Sequence, residues 1–485
     1  MAPKAAPAPT RAPGRKRKAV EDIPIRPSKK PSNGTTKSEE PAKSRKQVKT
    51  KAKTVLTTAP KQVLEVFVFG GNSAAELGLG DTATSASVKR PRLNPNLAPD
   101  AVGVVHLAVG GMHCLALAKS GTVYSWGGND LGALGRDTNW AGGLVDMSDN
   151  NSDSSDDDDE GGKLNPKEAT PTPIDSSAIP ANTVFTQLAA SDNASFALTD
   201  DGLVYGWGIF RGTDGDIGFS PSVRKQEKPV LLEGLKGITK IAAGENHVLA
   251  LDAKGSVYVW GAGELAQLGR RITERNRLQA LIPWRIGSLK NIVEIGTGSS
   301  HSFAIAKDGR CFGWGQNNYG QTGIESDAGE SGAIVPSPKV IEGLRDLGTI
   351  TSIGGGNAHS YAITSTGKTL VWGRLDACAT GQVVADLDAE RVIKDERGRP
   401  RILKAPTELP LAGTAECVAS GGEHCIAVLA DGKAYSWGFS DAYRTGLGTD
   451  DDVATPRLID NTAVREKKLV WAGAGGQFGV VAAAA

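Results

Sequence analysis

The sequence predicts a seven-bladed β-propeller closed by its own two ends, on three observations. One fifteen-residue stretch, His113 to Gly127 (HCLALAKSGTVYSWG), recurs from His247, His301, His359 and His424, each time with Trp thirteen residues after His, and once more from Ala194 with Ala in place of the His. Each copy is two short runs of β-branched, aromatic and small apolar residues around a Gly-bearing turn, the pattern of a hairpin, with no sustained helical period. Counted as endings, Phe69-Gly70 and the Trp-Gly pairs at 126, 207, 260, 314, 372 and 437 make seven.

The beginnings are displaced by half a unit. Gly-x-x-His stands at Gly110, Gly244, Gly298, Gly356 and Gly421, a degenerate form at Ser191 to Ala194, and a last one at Gly475 to Phe478 with no ending after it. A strand near Gly475 to Ala482 is therefore expected to pair with one near Val63 to Phe69 and complete one blade from both termini. Repeated antiparallel sheets set radially about an axis are the propeller architecture.

In chain order, residues 1 to 61 hold 17 Lys/Arg against 4 Asp/Glu, +13 on the arm and −12 on the rest of the 485-residue chain. With few large apolar residues the arm cannot offset its chain entropy and is expected to be disordered. Its clusters Arg15-Lys16-Arg17-Lys18 and Lys29-Lys30 suit a nuclear import receptor or a nucleic-acid backbone, against the plainer reading of a solubilising tail. The ring is expected over residues 62 to 485. It is interrupted by an acidic insertion, Asp146 to Gly162, with eight carboxylates, and by a charged stretch, Asp386 to Arg401, expected to project from the ring. Five cysteines without a CxxC pair favour a reducing compartment, and no apolar run reaches the length of a membrane span.

The repeated His and Trp are expected to build the ring: Gly lets the sheets converge, His satisfies backbone groups and Trp fills the space between blades. A ring of imidazoles as metal ligands is the weaker reading, since the side chains are spread around a channel. Function is sought where the pattern breaks. The clearest break is IFRGTDGDIG, Ile209 to Gly218, where the other units carry turns such as NDLGALG (129 to 135) and NNYGQTG (317 to 323), and Asp192 precedes it in the degenerate beginning.

These repeats, with Gly-Met-His at 111 to 113, NDLGALGRDT at 129 to 138 and WGIFRGTDGDIG at 207 to 218, resemble the regulator of chromosome condensation family in its fungal form, the chromatin-bound nucleotide-exchange factors for the GTPase Ran. The resemblance covers the chain from about residue 62 onward. It implies a propeller with one face against Ran and the other towards the nucleosome. Phe210, Gly212, Thr213, Asp214, Gly215, Asp216 and Ile217 would form a wedge against the GTPase, with Asp192 and Arg211 as the exchange residues and His113, Asn246 and Arg270 as further GTPase contacts. Arg271, Arg275 and Arg277 would meet the histone acidic patch, and the arm would serve import and DNA contact in the nucleus. The family needs no cofactor, metal or membrane.

Asn246 departs from an expected acid, and Gly320, Ala358 and Phe478 from expected histidines. Two rival readings stand beside exchange: a propeller scaffold without exchange activity, and a propeller hydrolase or lyase, for which Asp192 alone is slender support.

Overall fold

The computed structural model describes residues 54–82, 85–141 and 164–485. The clusters at 15–18 and 29–30 and the acidic segment 146–162 lie outside them. Seven sheets are arranged in a ring. The first blade is Val104–Val109, His113–Ala118, Val123–Gly127 and Thr172–Pro173, and the second is Phe185–Ala190, Ala194–Thr199, Val204–Gly208 and Gln226–Leu231. The third to sixth blades repeat this antiparallel order from Ile238, Ile292, Ile350 and Ala415.

The seventh blade takes Leu469–Ala474 and Phe478–Ala484 from the C-terminal end and Leu64–Gly71 and Ser87–Leu93 from the N-terminal end. Its joining register sets Val66 opposite Ala482 and Phe69 opposite Gly479, the closure expected from the half-unit offset. The first strand of each blade touches that of the next, and the seventh touches the first.

Convergence on the axis explains the small residues. Ala108, Ala189, Ala242, Gly296, Gly354, Ala419 and Gly473 share one register position on the innermost strands, each opposite a large apolar residue of the second strand, from Leu115 to Val480. At Gly296 a Cβ would fall 1.8 Å from the Ile353 carbonyl oxygen of the next blade, so no side chain fits there. Second strands such as His113–Ala118 are buried along their whole length because neighbouring blades cover both sheet faces.

Two expectations are corrected. Part of the charged stretch after Asp386 does not project: Val392–Lys394 adds a fifth strand to the fifth blade, Ile393 opposite Ile402. The ring also begins before residue 62, since the Leu56 and Thr57 amides donate to the Asp200 carbonyl (2.6 and 3.2 Å) and the Thr57 and Thr186 hydroxyls are bonded at 2.8 Å.

Candidate functional site

Seams between blades are closed by a four-part relay. The Ala133 carbonyl, in the turn after Trp126, accepts from Trp207 Nε1 (2.7 Å) and Ser195 Oγ (2.8 Å) of the second blade. With its proton committed there, Ser195 Oγ accepts from His113 Nε2 (2.8 Å) of the first blade. The same unit recurs as His247, Ser302, Gln267 and Trp314, as His301, Ser360, Gln321 and Trp372, and with a thiol as His359, Cys425, Ala379 and Trp437.

The expectation that each His satisfies backbone groups is therefore extended: the imidazole bonds a side chain of the neighbouring blade, and His113 and His247 also interact with the backbone at Asp192 and Ser299. Nε2 carries the proton, and burial pushes the pKa of His113 and His359 down to about 4 and of His247 and His301 to about 3. These rings are neutral seam parts, withheld from acid–base work near pH 7. His113, expected to contact a partner, has no exposed surface.

Three seams depart from this pattern. Between the seventh and first blades Phe478 replaces His, facing Cys114. Between the sixth and seventh, the partner position is Gly479, so no side chain bonds the His424 ring, while Phe69 replaces Trp. There the buried Arg444 steps in, its Nη1 donating to the Gly476 carbonyl at 3.0 Å. Between the second and third blades Ala194 faces Val248, and the turn that would supply the carbonyl is replaced by the segment after Trp207.

That segment is a two-stranded hairpin, Phe210–Gly212 with Gly215–Gly218. Its root is aromatic: Phe210, wholly buried, stacks between Phe196 and Phe219 (centroids 6.1 and 6.3 Å), and Phe196 meets Trp260 edge-on at 5.8 Å. Phe210 is therefore an anchor whose ring is closed to any partner, a correction to its expected contact role. The Asn246 side-chain carbonyl accepts the Arg211 amide (2.8 Å), fixing the hairpin, while its NH2 group donates to Glu245 Oε1 (3.5 Å). Asp216 sits between Arg211 (3.4 Å) and Arg224 (3.1 Å), leaving Thr213 and Asp214 exposed at the tip and Gly212, Gly215 and Ile217 half-buried.

Each second strand starts at the His position and each third strand ends at or one residue after the Trp-Gly position, so the Gly-x-x-His loops and the hairpin lie at one end of the ring. The loops surround an axial depression of about 570 Å³ lined by Asp192, Glu245, Asn357, Glu423 and Arg444 among others. The Asp192 amide donates to the Glu245 carbonyl (3.0 Å). Its carboxyl group is pushed up to about 7, first by burial and then by the neighbouring Glu245 carboxylate, with Arg211 opposing. Burial also raises Glu245. Sequence reasoning passed over Glu245 because it lies inside a repeat position; an acid at a place that is Gly, Ser or Asn in most other units was the available signal.

The basic loop is not on the opposite face. Arg271, Arg275 and Arg277 follow Trp260 and leave the ring at the hairpin's end, where a short 3-10 turn, Leu278–Leu281, touches the hairpin strand Gly215–Gly218. Arg271 and Arg275 are exposed, but Arg277 is ion-paired to Glu264 (Nε to Oε1 3.3 Å) beside Gly212. Arg270 stacks over Trp284 at 4.6 Å. Among the departures, Gly320 adopts φ +67°, where a histidine would be strained, and Phe478 is buried over Gly475.

Residues 65–481 match the model of the RCC1-like domain family. The chain is 41% identical over 426 residues to Protein pim1 of Schizosaccharomyces pombe, covering 87% of this chain and 75% of that one. It is also 41% identical over 427 residues to the guanine nucleotide exchange factor SRM1 of Saccharomyces cerevisiae, covering 86% and 87%. Prp20p of Saccharomyces cerevisiae, a solved structure described with its binding to Gsp1p and histones, superposes with a TM-score of 0.80 at 38% identity over 88% of this chain and 93% of that one. Yeast RCC1 (Prp20) in complex with Kap60 gives the same TM-score at 36% identity, covering 92% and 96%. With the family model spanning residues 65–481 and relatives at 41% identity across most of the chain, the chain belongs to the RCC1-like family, that of the regulator of chromosome condensation.

Proposed function

We propose that the chain is a guanine-nucleotide exchange factor for a Ran-type GTPase, acting on chromatin in the nucleus. The observation that carries this is the hairpin, a projecting element whose root is fixed in the seam where the relay is interrupted, beside the carboxylates of the axial depression. A relative with 41% identity carries the exchange-factor name, and the superposable Prp20p is described with Gsp1p and histones. Exchange needs no nucleophile: a factor that binds the nucleotide-free GTPase more tightly must, by linkage, weaken nucleotide binding by the same factor. The hairpin tip at Thr213 and Asp214 pushes against the phosphate-binding region of the GTPase, and Asp192 meets a cation of the partner at the mouth.

Arg271 and Arg275 are the exposed cations suited to an acidic histone surface. The basic arm, with Arg15 to Lys18, Lys29 and Lys30, serves an import receptor and the DNA backbone. Release of labelled GDP from purified Ran tests the reading. Acceleration by the full chain, lost on deleting Thr213 to Asp216, is expected; no acceleration leaves a propeller scaffold as the answer.

A further inference from the structure

We propose that the Glu264–Arg277 ion pair is a positioning device that holds the exchange hairpin at its working angle; this rests on the exchange reading above and concerns how the hairpin is held. The pair lies under the hairpin's first strand. A Cβ on Gly212 would fall 2.2 Å from Glu264 Oε1 and 2.7 Å from Arg277 Nη2, so the bare glycine lets the strand settle directly on the ends of the paired side chains. On the second strand, a Cβ on Gly218 would stand 3.6 Å from Leu281 of the same supporting loop. The hairpin is thus held at its root by Phe210 and Asn246 and along its flank by a loop of the third blade.

The nature of the pair suits this role. Arg277 Nε and Nη2 and Glu264 Oε1 are buried without a hydrogen-bond partner, and the side chains are 20% and 27% exposed. Their attraction is therefore mainly Coulombic in a partly desolvated place, where it is stronger than in water and tolerant of small shifts in angle. Removing Arg277 leaves the Glu264 charge partly buried and unpaired beside the hairpin backbone, and removing Glu264 leaves Arg277 with only its longer contact to the exposed Glu274 (3.9 Å), so the strand has to move to admit water. Arg277 supports from within a loop whose other arginines, Arg271 and Arg275, face outward.

The test measures amide hydrogen exchange across residues 211–217 and the kcat and KM of GDP release from Ran, in the full chain. Arg277→Ala and Glu264→Ala should each speed hairpin amide exchange by about tenfold and lower kcat by about tenfold, with KM and Tm close to wild type. Arg277→Lys should recover most of kcat, and the charge reversal Glu264→Arg with Arg277→Glu should recover more than either reversal alone. Gly212→Ala, whose methyl would push the ends of the Glu264 and Arg277 side chains aside, should loosen the hairpin and lower kcat by less than either alanine variant. Unchanged hairpin protection in both alanine variants, with wild-type exchange intact, overturns the positioning role and leaves the exchange reading standing. A loosened hairpin with unchanged GDP release removes the hairpin from the exchange reading itself.

Discussion

His301→Phe tests whether the repeated histidines are neutral seam parts. Phenylalanine already occupies this register in the seventh blade, as buried Phe478, so the ring accommodates the shape. His301 donates from Nε2 to Ser360 at 2.7 Å, and burial pushes its pKa from 6.5 down to about 3. Between those values the unfolded chain binds a proton that the folded chain refuses, so stability present at pH 7 is lost as pH falls below 6.5. Each such histidine contributes a slope of about 1.4 kcal/mol per pH unit, or about 2 kcal/mol between pH 6.5 and 5. All six histidines of the chain are displaced downward by burial, so their contributions share one sign and add to the loss of stability on acidification. Urea titrations from pH 7 to 5 should give the variant a slope shallower than wild type by about 1.4 kcal/mol per pH unit, with carboxylate contributions cancelling in the difference. At pH 7 the variant should lose about 1 kcal/mol, the seam hydrogen bond, partly offset by the apolar ring. Identical slopes would mean that His301 titrates alike in both states, and the neutral relay would be refuted.

Phe210→Ala should cost about 3–5 kcal/mol by urea titration, because the ring is fully buried, and should abolish hairpin amide protection before the rest of the ring loses any. The raised Asp192 carboxyl predicts that GDP release slows as pH falls from 8 to 6, towards about tenfold per unit below 7, while Asp192→Asn is slow and flat over that range. The same raised value means that stability falls as pH rises from about 4 to about 7, so thermal melts should show Asp192→Asn gaining on wild type progressively across that range and holding the gain at pH 8. Deleting residues 1–53, which spares the Leu56 and Thr57 contacts, should flatten the salt dependence of DNA binding in filter or anisotropy assays and leave GDP release in solution unchanged.

The ring was legible in the sequence because its physics repeats: a thirteen-residue interval between His and Trp fixes two strands and a turn, and seven endings against seven beginnings fix the closure. What the His and Trp do chemically was not legible. The relay joins residues 82, 55, 59 and 66 apart, and its hinge is the Ser or Cys after the next blade's His position, which as a single small polar residue inside a strand carries no local signal. The hairpin was visible as an interruption, but the inward turn of Phe210 was not. A lone aromatic beside a charged run is equally compatible with a surface contact, and only the presence of Phe196, Phe219 and Trp260 around it decides. The placement of the basic loop also needed the strand directions, which set every segment after Trp-Gly at one end of the ring.

Those strand directions join three sequence departures that otherwise look unrelated. Once Ile209 to Gly218 takes the place of the tight turn after Trp207, no carbonyl stands where Trp260 and a hydroxyl on the third blade would donate. A Ser at position 248 would then lack the carbonyl acceptor it has in the other seams, costing about 1–3 kcal/mol, and an imidazole at position 194 would have only that hydroxyl to bond. Ala194 and Val248 are the apolar answer to both problems. Phe196, Phe210, Phe219 and Trp260 fill the space as one aromatic cluster. The loss of His at the second blade is therefore a consequence of inserting the hairpin, and restoring the polar pair, as Ala194→His with Val248→Ser, should destabilise this seam although the same pair closes the seams at Ser195, Ser302 and Ser360.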